Sequence, residues 1–499
     1  MRKEDNGKHI IVIGAGIGGL ASACLFAAQG YNVSVYEKNS TPGGKMQQLK
    51  KSGYRFDTGP SLFTMPFQLE KLFEKCDEKL ENYLHYRDLE PLARYFFQDG
   101  TVFDNFFDKK ANAAEIEKFA PNSVNEYANF LKRTENLYRK TSQAFLFNPL
   151  YGFNDYKKLK YYDFLGIDAF STVSQKVDKK ISSPHLRQFF KRFTTYNGSS
   201  PFKAPATLNV IPHVELNMGG YYVPGGMYRI VESLVKLGKK LGVEYHFNQI
   251  VHQINVKRER VKGIFLKNGT HIKADAVIAN SDATDTILNL IAPDTISNSR
   301  KAKQNKLEPS CSGFVMMIGC RNRWHQLKHH NVFFSNDYRR EFEEIFDEKH
   351  LPQDPTIYIA NTSWTDPGDA PQNSSNLFVL INAPYVQDNQ DWDEITERYS
   401  GFVIEELERR GLDGLEKSIE VFEMINPKDF LELYRSNRGS IYGTSSNDAF
   451  SAFMRPKNKL RGIGNLYLVG GSTHPGGGIP LVIQSAFNAL ELMKRYNPK

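Results

Sequence analysis

Four residues near the amino terminus have the types and the spacing to hold a dinucleotide. Gly14, Gly16 and Gly19 follow the apolar run Ile10 to Ile13 in the order G-x-G-x-x-G. Glycines so placed let backbone amides at a helix start approach a pyrophosphate closely. Glu37 closes the next alternating run, Asn32 to Tyr36, where a carboxylate accepts hydrogen bonds from a ribose. The glycine motif alone has little specificity and would also fit an ordinary turn. A preceding strand, a following small-residue helix and an acid about 20 residues on give it weight. Other chemistry leaves no signature: there is no G-x-S-x-G and no H-E-x-x-H. Cys24, Cys76, Cys311 and Cys320 are scattered without metal spacing, which suggests a reducing cytosol.

The elements that must position these groups read as α/β. Strand Ile10 to Ile13, a helix containing Cys24 and strand Asn32 to Tyr36 make a βαβ unit. Residues 10 to 36 carry no charge and lie behind Arg2, Lys3 and Lys8, as in a signal peptide or membrane span. Against that, Glu4 and Asp5 interrupt the basic region and five glycines interrupt the apolar run. Helices dominate 115–200, and the periodicity of Met227 to Leu241 predicts another. Gln249 to Val256, Val261 to Leu266 and His271 to Ile272 alternate as strands around an Asn268-Gly269 hairpin turn. A buried strand, Ala274 to Ala279, ends at Asn280-Ser281-Asp282, which is helix-capping chemistry. Gly313 to Cys320, Thr356 to Ala360 and Leu377 to Ile381 predict a second β-rich layer. Asn465 to Val469 then leads through GGSTHPGGGIP into a helix from about Leu481 to Tyr496.

At 499 residues, with 40% hydrophobic and 13% aromatic residues, the chain can build large cores, and 24% charged residues give an ordinary surface. The net charge of +8 is spread along the chain and matches no nucleic-acid module, so no nucleic-acid partner is expected. Residues 144–166 mix Phe, Leu and Tyr with Lys157, Lys158 and Lys160, which suits either a membrane headgroup boundary or the solvated face of a cap.

The glycine turn, the segment GGYYVPGG at Gly219 to Gly226 and the tail NLYLVGGSTHPGGGIPLVIQSA at Asn465 to Ala486 together resemble the bacterial carotenoid desaturases related to phytoene desaturase, which are FAD flavoproteins. The resemblance runs from end to end. It implies an α/β fold in which a Rossmann-type FAD domain of the amine oxidase and glutathione reductase kind is interleaved with an α+β substrate domain and a helical, membrane-facing cap. Residues 1–85, 220–300 and 440–499 would assemble the FAD domain. Residues 86–219 and 301–439 would form the substrate domain, with the cap near 115–200.

Carried over residue by residue, the resemblance places Gly14, Gly16, Gly18 and Gly19 at the pyrophosphate and Glu37 on the adenosine ribose, flanked by Lys38, Gly44 and Lys45. Backbone at Val251 would reach the adenine. Gly471, Ser472, Gly478, Ile479 and Pro480 would lie along the ribityl chain and flavin ring. Related amine oxidases often carry an acid near Gly471 or Ser472; here only Ser472 or backbone can serve.

The implied reaction removes two hydrogens from adjacent carbons of a polyene, one as hydride to flavin N5 and one as a proton. A cation beside conjugated double bonds is delocalised, so the protein mainly positions the bond, and no metal is expected. Glu215 and His474 are the catalytic candidates. Glu215 reads as a proton acceptor or as a structural carboxylate paired at a helix end. His474 reads as a ring that titrates near working pH or as a turn stabiliser.

The GSTHPGGGIPLV ending resembles the 1'-hydroxycarotenoid 3,4-desaturase branch more than multistep phytoene desaturases, whose endings more often run GTHPGAGIPGV. A flavin amine oxidase would present aromatic residues between Gly476 and Ile479, where none stands. A non-enzymatic prenyl-binding escort protein would have no need of the full glycine turn. The resemblance further implies a carotenoid substrate drawn from a bilayer, hence a cytoplasmic protein held peripherally at the inner face of the membrane, with oxygen or a quinone as electron acceptor.

Overall fold

The computed structural model describes residues 7–151, 155, 168, 170–388, 390–448 and 455–497. Five short apolar strands pair in the order Leu466–Leu468, Ala276–Ala279, His9–Ile13, Asn32–Tyr36 and Glu244–His246, all parallel. Continuous Val and Ile runs suit a sheet covered on both faces. One face is covered by the helices Ile17–Ala27, Tyr228–Lys240 and Ile479–Tyr496, which share a core with Ile10, Val12, Val33 and Val35. The small residues of Ile17–Ala27 allow this close approach, and all eleven of its residues are buried. Cys24 donates from within it to the Leu234 carbonyl (3.3 Å), so this thiol is core packing; burial raises its pKa well above the ordinary range.

The opposite face carries an antiparallel meander, Val251–Lys257, Arg260–Leu266 and His271–Lys273, packed on Ile11, Ile13, Val277 and Ala279. Gly269 takes a left-handed φ of 85° in the last turn and Asn268 Oδ1 accepts from the Thr270 amide (3.0 Å), which is the local chemistry a tight hairpin needs.

The second layer is a seven-stranded mixed sheet in the order Ile419–Ile425, Ser312–Cys320, Ser375–Ala383, Ile357–Asn361, His330–Phe333, Ala93–Phe96 and Val102–Asn105. Its second strand, Ser312–Cys320, paired on both sides, is buried at every residue. Helices Val124–Thr141, Pro184–Arg192 and Val210–Leu216 lie near one edge; Phe103, Phe130, Phe189 and Phe190 form an aromatic core there.

An ionic cluster ties the parts together. Arg55, on the ribbon Gln48–Lys51 and Tyr54–Asp57, donates to Asp57 (3.0 Å), to the Tyr222 hydroxyl (3.1 Å) and through two nitrogens to Asp369. Gly226 has a φ of 98°, and a Cβ there would lie 2.0 Å from Arg55 Nη1, so the guanidinium occupies the room a side chain would take. Among the described residues, no helix is long and apolar enough to cross a membrane.

Candidate functional site

A single cavity of about 690 Å³ runs from the glycine turn, past the C-terminal glycine loop, to the aromatic core of the second layer. It brings together Gly14, Gly16, Gly18, Glu37, Lys38, Gly44, Lys45, Val251, Gly471, Ser472, Gly478, Ile479 and Pro480, with Glu215 and His474. Gly19 stands behind the wall. A Cβ on Gly19 would meet the Gly14 carbonyl at 2.0 Å, so this glycine lets helix and turn pack.

At the first end, the helix Ile17–Ala27 begins at Gly16 with no side-chain cap and no acid in its first turn. Its free amides and dipole therefore favour an anion. Glu37 accepts from the Ala15 amide (2.7 Å) and the Asn39 amide (2.9 Å), one on each carboxylate oxygen. Each oxygen retains a lone pair for a hydroxyl donor. Gln249 N–H donates to the Glu37 carbonyl (2.8 Å), which sets Val251 at the start of its strand beside the acid. These groups fit a dinucleotide with its pyrophosphate at the helix start.

Asn280 is a wall residue that sequence reasoning read only as capping chemistry. Ideal Cβ atoms on Gly16, Gly18 and Gly470 would lie 2.7, 2.6 and 2.8 Å from its amide. The glycines of head and tail thus close around one side chain. Only the flanking strand end at Ala279 hinted at its place.

Lys45 is half-buried, and its ammonium donates to the carbonyls of Ser440 (3.1 Å) and Ile441 (2.7 Å). Burial pulls its pKa down to about 8, with Asp282 opposing. Asp282 caps the next helical turn through Thr284 (2.8 Å) and Asp285 (3.3 Å), and burial raises its pKa. Lys38 points away to the Glu432 carbonyl (3.2 Å).

At the tail, Ser472 Oγ accepts from the Ala283 amide (2.9 Å), which pins the glycine loop to the Asp282 turn. The eighteen-residue helix Ile479–Tyr496 starts at Gly478 with φ of 95° and no acid in its first turn, so a second positive helix end faces the cavity. Arg455, also unforeseen, donates to the carbonyls of Tyr442 (3.0 Å) and Gly471 (3.3 Å) and to Asn197 Oδ1 (2.8 Å). Its described acceptors are all neutral, and burial pulls its pKa down to about 10.

His474 Nε2 lies 2.9 Å from the Asn148 carbonyl, an acceptor, which places the neutral ring's proton on Nε2. Burial, reinforced by Arg455 and Lys457, pushes its pKa down to about 4. The ring is therefore neutral at working pH. Glu215, on helix Val210–Leu216, accepts from Tyr196 (2.6 Å) and Arg192 (3.3 Å). Both of its oxygens are engaged.

Of the segment 144–166, Phe145 and Leu146 line the cavity and Phe147 packs edge-on to Phe67 (6.3 Å between centroids). Lys157, Lys158 and Lys160 lie outside the described residues.

Residues 17–491 match the family model described as flavin containing amine oxidoreductase. The chain is 38% identical to a 1-hydroxycarotenoid 3,4-desaturase of Flavobacterium sp. (strain P99-3), over 98% of this chain and 100% of that one. It is 37% identical to a 4,4'-diaponeurosporene oxygenase of Staphylococcus aureus (strain MSSA476), over 96% of each. Among solved structures, a putrescine oxidase triple mutant shares the fold with a TM-score of 0.67 at 12% identity, over 98% of this chain and 99% of that one.

Proposed function

The chain belongs to the flavin-containing amine oxidoreductase family and is an FAD-dependent oxidoreductase, and we propose that it desaturates a carotenoid with a hydroxylated end, introducing the 3,4 double bond. The observation that carries this reading is the continuity of the cavity. A dinucleotide cradle at Gly14 to Glu37 opens past Gly471 and Ile479 into a space walled by Leu208, Ile211, Val332, Phe378 and Leu380. Such a wall suits a long apolar chain far better than a small amine.

FAD, when bound, supplies a two-electron acceptor for hydrogen leaving carbon. We assign the pyrophosphate to Gly14, Gly16 and Gly18, with Gly19 supporting them, and the ribose to Glu37, with Lys38, Gly44 and Lys45 flanking. Val251 would meet the adenine, and Gly471, Ser472, Gly478, Ile479 and Pro480 the flavin half. The helix start at Ile479 and the Arg455 guanidinium put positive potential at that half, favourable to the charge that reduction adds. The apolar walls exclude water and align the polyene. In this reading Glu215 holds Arg192 in place and His474, as a neutral donor, fixes the loop.

We further propose a cytoplasmic protein bound peripherally at the inner membrane face, with oxygen or a quinone taking the electrons. Phe170, 96% exposed, and Phe145 and Leu146 at the cavity support a lipid-facing mouth. The relatives named as diaponeurosporene oxygenases favour a second reading on the same cavity, oxidation of a terminal carbon. Expression beside a hydroxycarotenoid producer or a phytoene producer separates these readings. A pigment lengthened by one conjugated double bond from the hydroxycarotenoid supports ours, a terminal aldehyde supports the second, and a change only in the phytoene strain indicates a multistep phytoene desaturase.

A further inference from the structure

A group of cations gathers around Tyr151, where the cavity wall meets the surface. Leu150 lines the cavity. One residue on, the Tyr151 carbonyl accepts from Lys457 (3.5 Å) and Arg461 (3.4 Å), and its ring packs edge-on to Tyr496 (5.2 Å between centroids). Lys459 Nζ lies 5.5 Å from the centre of each of these rings, and the Arg461 guanidinium lies 5.9 Å from that of Tyr151. Arg300 donates to the Arg461 carbonyl (2.6 Å), and Arg260 to Asn465 Oδ1 (3.3 Å). Arg260, Arg461 and Tyr496 are exposed, while Arg300 and Lys459 are half-buried.

Like charges so placed repel one another. Burial lowers the pKa of Lys459, and Arg260 lowers it further; burial lowers that of Arg300, opposed by Tyr151 and reinforced by Arg461. The carboxylate beside Tyr151 is Asp155, which accepts from the Tyr151 amide (3.1 Å) and from Arg495 (2.7 Å). Among the described residues, no acid forms an ion pair with Arg260, Arg300, Lys459 or Arg461. The cation–π contacts hold these side chains in place but leave their mutual repulsion, which an anion relieves. Arginine and lysine beside tyrosine rings suit the headgroup region of a bilayer, where the cations meet phosphate and the rings rest at the boundary. We propose that Arg300, Lys459 and Arg461, framed by Tyr151 and Tyr496, bind the phosphates of anionic phospholipid and dock this face on the bilayer. Docking there brings the Leu150 wall of the cavity close to the lipid that holds an apolar substrate. The surface rests on the membrane reading; what it adds is the sign of the lipid charge and the residues that meet it.

Flotation of the FAD-loaded enzyme tests this, with vesicles of phosphatidylcholine alone and of phosphatidylcholine mixed with phosphatidylglycerol. The wild type is expected to partition more tightly onto the mixed vesicles. A basic residue near an anionic surface is worth about fivefold in partitioning, so Arg300→Gln, Lys459→Gln and Arg461→Gln combined should weaken it by on the order of a hundredfold. The charge-keeping triple, Arg300→Lys, Lys459→Arg and Arg461→Lys, should bind as the wild type does. Glutamine at three exposed cations elsewhere, Lys110, Arg323 and Lys417, removes the same net charge and should leave binding within a few-fold. Unchanged flavin absorbance in every variant separates lost docking from lost fold. An equal loss in the Lys110, Arg323 and Lys417 triple, a charge-keeping triple that binds no better than the glutamine one, or equal wild-type binding to both vesicles would overturn the surface and leave peripheral binding standing. Release by inorganic phosphate at matched ionic strength would assign the cations to a soluble anion instead. Wild type that floats with neither vesicle would overturn the surface and the membrane reading together.

Discussion

The Cβ that Gly18 lacks would lie 2.6 Å from Oδ1 of Asn280, a side chain from the end of a strand 262 positions later in the chain (280 minus 18). The pyrophosphate turn is thus built against a fixed amide, and its glycines are there as much for that amide as for the ligand. Gly18→Ala must displace Asn280 or the backbone of Gly470. Overpacking of this kind costs about 1–3 kcal/mol, so FAD affinity is expected to fall by roughly five- to a hundredfold. Titration of apoprotein with FAD, followed by flavin fluorescence, measures it. Asn280→Ala in the Gly18→Ala background should recover part of the loss.

Arg55 neutralises two buried carboxylates, Asp57 and Asp369, the second 314 positions away. Removing one member of a buried pair leaves an uncompensated charge and costs about 3–5 kcal/mol. Arg55→Met is expected to lower the urea midpoint accordingly while the flavin spectrum of the surviving folded protein stays unchanged.

His474 gives a pH dependence of defined sign. Its folded pKa of about 4 lies below the ordinary 6.5, so between these values the unfolded chain binds more protons than the folded one. The stability contributed above pH 6.5 is therefore lost as pH falls from 6.5 to 4, by on the order of 3 kcal/mol. His474→Gln should show a shallower loss across that window in denaturant titrations. The pH profile of activity around neutrality should be unaltered by the substitution.

Much of the cradle was legible because its signals are local. The period of the apolar runs, the glycine spacing and the capping run Asn280-Ser281-Asp282 all lie within a few residues of the geometry they specify. Glu37 follows the same logic: a strand end beside a glycine turn. What stayed hidden depends on pairing between distant elements. Arg300 and Arg461 lie 161 positions apart, and nothing near them in sequence announces a shared surface. Arg55 with Asp369 is the same case. The pKa of His474 is hidden in a different way, since residue type gives the ordinary value and only burial in the loop over Asn148 moves it.

Arg455 supplies buried positive charge at the C-terminal end of the cavity without a described carboxylate partner. Arg455→Gln is expected to make the FAD midpoint potential more negative by about 30 mV, the equivalent of 1.4 kcal/mol for two electrons. A spectroelectrochemical titration of both holoenzymes measures this, and Lys45→Gln offers a comparison at a cation of the nucleotide half.

Membrane docking is tested by flotation with liposomes carrying anionic lipid. Replacement of Phe145, Leu146 and Phe147 with serine and of Lys157, Lys158 and Lys160 with glutamine is expected to leave the protein at the bottom of the gradient while wild type floats. Equal flotation of both would remove this segment from the docking face.

The central claim is that one cavity holds both FAD and a hydroxylated polyene in reacting contact. It is tested most directly by anaerobic mixing of oxidised holoenzyme with one equivalent of hydroxycarotenoid, followed in a stopped-flow spectrophotometer. Bleaching of the flavin band together with a red shift of the polyene by one conjugated double bond, one product per flavin, is expected. Flavin that stays oxidised while the bound hydroxycarotenoid stays unshifted would contradict it.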